Sequence, residues 1–312
     1  MKRGKITVIG SINMDLVVKV DVHPKAGELV TGKGLEYIPG GKGANQSIAA
    51  ALSADAEVAL IGCVGEDAHG TALLENLRAK HVNIDKVVVD AKAPTGLAQI
   101  SVDRHGQNMI IYNSGANFRL LPEHIEMEER KIAESDMVIT QLEIPLATVE
   151  RIAQICNKHG VPLLLNPCPA MMLSDELLRR VSFLVPNEFE GAALCGINPP
   201  ENIEDAIRIT ELLETKTPGS VLMTIGASGV LIVTEHGIKH MPAYKVDAVD
   251  ATAAGDTFIG AFAGRYVNGA SLEEAAQFAT AAAAITVSRL GAQVSIPTRV
   301  EVEQFLREHP QD

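Results

Sequence analysis

Five clusters in this 312-residue chain combine residue types and spacings that could do chemistry. The first is Gly40-Gly41-Lys42-Gly43-Ala44-Asn45-Gln46, running into an apolar helical stretch. Its glycines let backbone approach a ligand closely, and a helix N-terminus favours partial negative charge. It is not a P-loop, because Gly43 follows Lys42 where Ser or Thr is required, and not a dinucleotide fingerprint, because Gln46 replaces the last glycine. A tight turn would explain the glycines but neither Lys42 nor Asn45.

The second cluster, Asp250-Ala251-Thr252-Ala253-Ala254-Gly255-Asp256-Thr257-Phe258, sets small residues and one acid ahead of an apolar helix. Asp256 reads as a helix cap or dipole partner, or as an acid beside an anion-binding concavity of successive amides. In the third, Asn187 and Glu190 fall three apart on a first helical turn after an apolar strand, where Glu190 can hold a magnesium ion through water. The fourth, Thr224-Ile225-Gly226-Ala227-Ser228-Gly229, is a plain hairpin turn or a nucleotide loop. The fifth pairs Asn13 with Asp15, polar groups able to fork onto a diol.

These residues need a frame. Short β-branched runs at 5–10, 58–64, 137–141, 161–166, 182–185, 220–225 and 229–234 alternate with helical periodicity near 43–53, 67–81, 146–159, 203–214, 256–267 and 272–289. That alternation predicts an α/β fold with a doubly wound, mostly parallel sheet covered by helices on both faces. Segments 15–38 and 95–114 instead alternate with period two, as Leu16/Val18/Val20 and Ala98/Ile100/Val102 show. They predict a small antiparallel sheet outside the main one, a lid or a dimer surface. No linker or repeat divides the chain, so 1–312 reads as one domain.

Twenty-seven basic against 39 acidic residues leave a net charge of −12, which argues against nucleic acid and anionic membranes as partners. The four cysteines lack C-x-x-C spacing and read as buried thiols in a reducing, cytoplasmic setting. The N-terminus has no secretory apolar core, and no run is long enough to span a membrane.

Taken in order, the five clusters resemble the PfkB-type (ribokinase-like) carbohydrate kinases, from Gly10 to Gln293. The resemblance implies the predicted fold with a β-sheet lid, and ATP-dependent phosphorylation of ribose at its 5-hydroxyl. By the same resemblance Asn13, Asp15, Gly41, Lys42, Gly43, Ala44, Asn45 and Glu143 contact the sugar. Asp256 is the catalytic base and Ala253–Gly255 the anion hole. Asn187, Thr224 to Gly229, Gly255 and Thr280 serve ATP, while Asn187 and Glu190 lie near Mg²⁺. Asp250, Thr252, Thr286, Arg289, Gly291 and Ser295 match loops that hold an activating K⁺, largely through carbonyls. Three positions depart from the family: Ala251 where Thr is usual, Thr280 for His or Asn, and the bulky Phe189. A homodimer through the lid is expected. Kinases of another sugar or nucleoside, such as 2-deoxyribose, fructose or adenosine, are the competing reading, although aromatics are only 4% of the chain, few for stacking a nucleoside. A non-catalytic binding regulator would need no base.

Overall fold

The computed structural model describes residues 3–311. Its strands are β1 (Lys5–Ile9), β2 (Asn13–Lys19), β3 (Leu35–Gly40), β4 (Glu57–Ile61), β5 (Cys63–Gly65), β6 (Val88–Asp90), β7 (Gly96–Val102), β8 (Asn108–Asn113), β9 (Met137–Thr140), β10 (Leu163–Leu165), β11 (Phe183–Leu184), β12 (Ser220–Thr224), β13 (Val230–Thr234) and β14 (Gly237–Met241). Eight form the main sheet in the order β14-β13-β12-β11-β10-β9-β1-β4, parallel except for the β12–β13–β14 meander; β5 and β6 form a separate parallel pair.

Alternation along each strand builds two cores. In β1, Ile6 and Val8 face one apolar layer and Ile9 the other; in β9, Met137 and Ile139 oppose Val138. Helices Lys42–Ala54, Ala254–Val267 and Leu272–Val287 cover the first face, and helices Leu146–His159 and Ile203–Glu214 the second. The last two span the expected ranges, and Gly160 closes helix Leu146–His159 in the left-handed conformation. The Ser271–Glu274 capping box forms as expected. Helix Arg299–Glu308 was not anticipated, although Thr298 and Glu301 form the same reciprocal cap.

Helices Lys42–Ala54 and Ala254–Val267 pack unusually close. A Cβ on Gly260 would lie 2.6 Å from Ala49 Cβ, and one on Gly264 2.5 Å from Ala54 Cβ, so only glycine permits this spacing. The contact brings Asn45 and Gln46 against Asp256, one helical turn before Gly260.

The small sheet has the order β3-β2-β7-β8. Pairs β2–β3 and β7–β8 are antiparallel as expected, but β2 and β7 between them run parallel. The main sheet's β4 and two helices lie between them in sequence, which supplies the long crossover a parallel pair needs. Within segment 15–38 no strand covers residues 20–34, where Pro24, Gly27, Gly32 and Gly34 interrupt the alternation.

From β1 the main sheet extends to β4 on one side and through β9 to β12 on the other. Strand order reverses there, and a crevice opens at the carboxyl ends of β1 and β9, where open α/β sheets bind ligands.

Candidate active site

Across that crevice Ser11, just past β1, donates its hydroxyl to Glu143 Oε2 (2.5 Å) beyond β9. Asn13 at the start of β2 also donates to Glu143 Oε2 (3.3 Å), while its own Oδ1 accepts from Asn117 Nδ2 (2.6 Å). Asn117 in turn accepts from the Ile12 amide (2.9 Å), which ties the lid to the body. Asp15 sits two residues along β2, on the same face as Asn13. A Cβ on Gly40, across the β2–β3 pair, would stand 2.8 Å from Asp15 Cγ, so glycine there leaves room for the carboxylate. Burial, then the charges of Glu143 and Asp256, push the Asp15 carboxyl up to about 7, with Lys42 pulling the other way. For Lys42, burial disfavours the ammonium, but Asp256, Cys168 and Glu143 outweigh it and hold its pKa well above the usual lysine value. The predicted sugar residues therefore converge: one cation among three acids, with Gly41 (φ 93°) turning the chain into the helix that starts at Lys42.

Asp256 lies at the floor, 8% exposed. Asn45 Nδ2 donates to its Oδ2 and Gln46 Nε2 to its Oδ1, both at 2.8 Å. Gln293 Nε2 donates to Asn45 Oδ1 (2.9 Å), which fixes the Asn45 amide with its NH₂ toward the acid. Asp256 belongs to the first turn of a helix with no side-chain cap, and Ala253 before it is held left-handed at φ 62°. Such strain in a residue with a Cβ costs about 1–3 kcal/mol. Ala253, Gly255 and Asp256 line a cavity of about 240 Å³ together with Lys42, Asn166, Asn187, Glu190 and Thr224, among others, while the Ala254 amide donates to Ala251 O (3.2 Å).

On the far side of this cavity Asn187 and Glu190 form a capping box, and Glu190, 5% exposed, accepts from the Asn187 amide, the Asn187 side chain and Asn166. No Lys or Arg ion-pairs with it among the described residues, so a buried carboxylate edges the cavity without a direct counter-ion. Thr224 lines the same cavity and precedes the short turn Gly226–Ser228 joining β12 to β13, so the fourth cluster is a hairpin turn and a cavity edge at once. Thr280 does not line the cavity: its hydroxyl donates back to Ala276 O (2.9 Å). Asp250 accepts from Thr252 and from the Gly291 amide (3.0 Å), which draws residues 250–252 and 286–295 together. The Arg289 side chain is taken by Glu301 at 2.7 Å, the Thr286 and Ser295 hydroxyls donate to Ala282 O and Ala292 O, and the Thr286 carbonyl accepts from the Arg289 amide (3.1 Å).

The sequence reading missed several residues here. Asn117 and Gln293 come from far along the chain, and only their contacts reveal them. Tyr112 of β8 places its hydroxyl 3.4 Å from Asn117 Nδ2, at the sugar cluster. Gln46 ends the first motif without a role being assigned to it there, and Asn166 follows a buried strand at its carboxyl edge, both visible signals. Cys168 also lines the cavity; its thiol is pushed up to about 12, chiefly by burial, so it is no nucleophile at neutral pH.

Comparison with known proteins agrees with this geometry. The model of the pfkB family carbohydrate kinases matches residues 3–299. The chain is 40% identical to the ribokinase of Haemophilus influenzae over 304 residues, covering 97% of this chain and 99% of that protein. It is 41% identical to the ribokinase of Schizosaccharomyces pombe over 306 residues, 96% of each. The structure of Arabidopsis thaliana ribokinase complexed with ribose and ATP superposes with a TM-score of 0.90 at 33% identity, covering 98% of this chain and 99% of that one. A family match over nearly the whole length, on a chain whose five motifs meet in one crevice, makes this protein a member of the pfkB family of carbohydrate kinases.

Proposed function

We infer that the chain is an ATP-dependent ribose kinase that transfers the γ-phosphoryl group to the 5-hydroxyl of D-ribose, giving ribose 5-phosphate and ADP. Full-length likeness to ribokinases, one of them solved with ribose and ATP, supports the activity. The observation that carries the residue roles is the place of Asp256, a buried acid at an uncapped helix start between the sugar cluster and the cavity edged by Asn187, Glu190 and Thr224.

Phosphoryl transfer passes through a loose, anionic transition state, so the protein contributes position and charge rather than a covalent intermediate. Asp15, Asn13, Asn45 and Glu143 orient the sugar, and Asp256 takes the proton from the attacking hydroxyl. The first-turn amides after Ala253 and the Lys42 ammonium balance the negative charge that develops on the transferred group. Asn187, residues 224–229 and Gly255 are the nucleotide side, and the helix bearing Thr280 flanks it. Among the described residues no group of three or more His, Cys, Asp or Glu side chains is placed to hold a metal ion. Asn187 and Glu190 fit Mg²⁺ held through water, which neutralises phosphate charge when bound. The carbonyls around Asp250, Thr252, Thr286, Arg289, Gly291 and Ser295 fit K⁺, which would order the loop next to the anion hole.

The chain acts as one domain with the small sheet as lid. Exposed Leu35, Tyr37, Met109, Ile110 and Ile111 on that sheet support its pairing with a second copy. Light scattering tests this: a dimer is expected, and a monomer at micromolar concentration removes the idea. ATP as donor and four free cysteines support a cytoplasmic setting. No helix among the described residues is long and apolar enough to cross a membrane. A coupled ADP-release assay over pentoses, hexoses and nucleosides tests the substrate. The highest kcat/KM is expected with ribose, and faster turnover of fructose or adenosine would overturn it.

A further inference from the structure

Gln46 is fully buried and has no part in the roles above, yet it touches Asp256 as closely as Asn45 does. Its Oε1 accepts from Gln141 Nε2 at 2.6 Å, which forces its NH₂ group toward Asp256 Oδ1. Gln141 performs this with its own Oε1 left unpartnered in the core. If Gln141 turned over, Gln46 would have to turn as well, and a carbonyl would then face the carboxylate. The fold thus bears one unpaired buried acceptor and keeps a donor on Asp256. Gln46 Nε2 also reaches Asn166 Oδ1 (3.3 Å), and Asn166 Nδ2 donates to Glu190 Oε2 (3.3 Å) and Val185 O (3.0 Å).

We propose that Gln46, oriented by Gln141, is a positioning residue for Asp256, and that through Asn166 it registers the base against Glu190 on the nucleotide side. With Asn45 on one oxygen and Gln46 on the other, the carboxylate plane cannot rotate, and Asp256 meets the sugar hydroxyl at one angle. The proposal rests on Asp256 being the base.

Two variants test it. Gln46→Met keeps the volume and removes both donors; kcat should fall about 10–100-fold, with the calorimetric ribose Kd within about threefold of wild type, the split expected when an interaction acts on the transition state. Gln46→Glu places a second carboxyl against Asp256. The remaining charged groups facing that acid are Lys42, Asp15 and, beyond them, Glu143 and Glu190. A like-charged pair holds a proton, so the acid limb of kcat/KM should move up by about one pH unit or more. Two folded variants with wild-type kcat and an unmoved limb would overturn the proposal. So would a loss of kcat matched by an equal loss of ribose affinity and a lowered Tm, the mark of a merely structural role. If Gln46→Glu fails to fold, Gln46→Met decides alone through its split between kcat and Kd. Asp256→Asn separates the two readings: full activity there removes the base itself, whatever Gln46 does.

Discussion

The two halves of the crevice, proposed to hold the sugar and the nucleotide, are built on different principles. The sugar half is made of side chains, buried and already wired to one another: Ser11 and Asn13 on Glu143, Asn117 on Asn13, Gln293 on Asn45. The nucleotide half is made mainly of backbone: an uncapped helix start, the exposed turn Gly226–Ser228, and loop carbonyls around Asp250. A neutral polyol offers only hydroxyls in fixed directions, so discrimination needs acceptors and donors held still. A polyphosphate carries its own charge and is met by oriented dipoles whatever the side chains are. Sensitivity to single side-chain substitution should therefore be concentrated in the sugar half.

The largest effect is expected where the halves meet. Asp256→Asn should lower kcat by about 10²–10⁴ while keeping ribose affinity, the range for loss of a general base. Retention of half the wild-type kcat would leave Asp256 as a helix-start acid and nothing more. Next comes Asp15→Ala, where losing a buried acceptor, about 1–3 kcal/mol, should raise the ribose KM roughly 5- to 150-fold with the ATP KM nearly unchanged. An equal rise in both would erase the contrast.

The same carboxyl gives the sugar half a pH signature. Its folded value of about 7 lies above the ordinary carboxylate value of 3.8, so the folded protein binds that proton more tightly than the unfolded chain. Stability contributed by the neutral carboxyl is full below about pH 4 and is lost as pH rises through 7. Asp15→Asn should thus raise the Tm of the ligand-free protein more at pH 8 than at pH 5, while ribose binding to the wild type strengthens from pH 6 to 8. A Tm difference that does not vary with pH would contradict the assignment. Smaller effects belong to the nucleotide half. Replacing K⁺ by tetramethylammonium at constant ionic strength should slow turnover severalfold, and equal rates would remove the cation loop. Thr224→Ala should change the ATP KM by no more than about fivefold, near the ~1 kcal/mol of one net hydrogen bond; a change as large as that for Asp15 would break the comparison.

Legibility in the sequence follows the same division. Asn187 and Glu190 were readable because a capping box is local, and so were the two helices whose apolar stripes match the 3.6 period. The glycines around Lys42 announced a turn into a helix before any partner was known. Asn117 and Gln293 were not readable: they act on Asn13 and Asn45 across 104 and 248 positions, and nothing beside them in the sequence marks these buried amides out from those at the surface. The strand-free stretch 20–34 was overread, since alternation at Leu16, Val18 and Val20 was carried past the prolines and glycines that end it. The parallel β2–β7 pair lay beyond reach because strand direction depends on the crossover, not on either strand.

Gly260 carries a further consequence. The contacts that orient Asp256 come from one helix and the acid from another, so the alignment of the proposed base is a spacing between two rods. That spacing is set by a missing methyl group, which would lie 2.6 Å from Ala49 Cβ and as close to the backbone at Gln46 and Ala50. Chemistry that tolerates errors of a few tenths of an ångström is thus indexed to a close backbone approach between two helices. Evolution or design could retune the catalytic angle there without touching a residue that meets substrate.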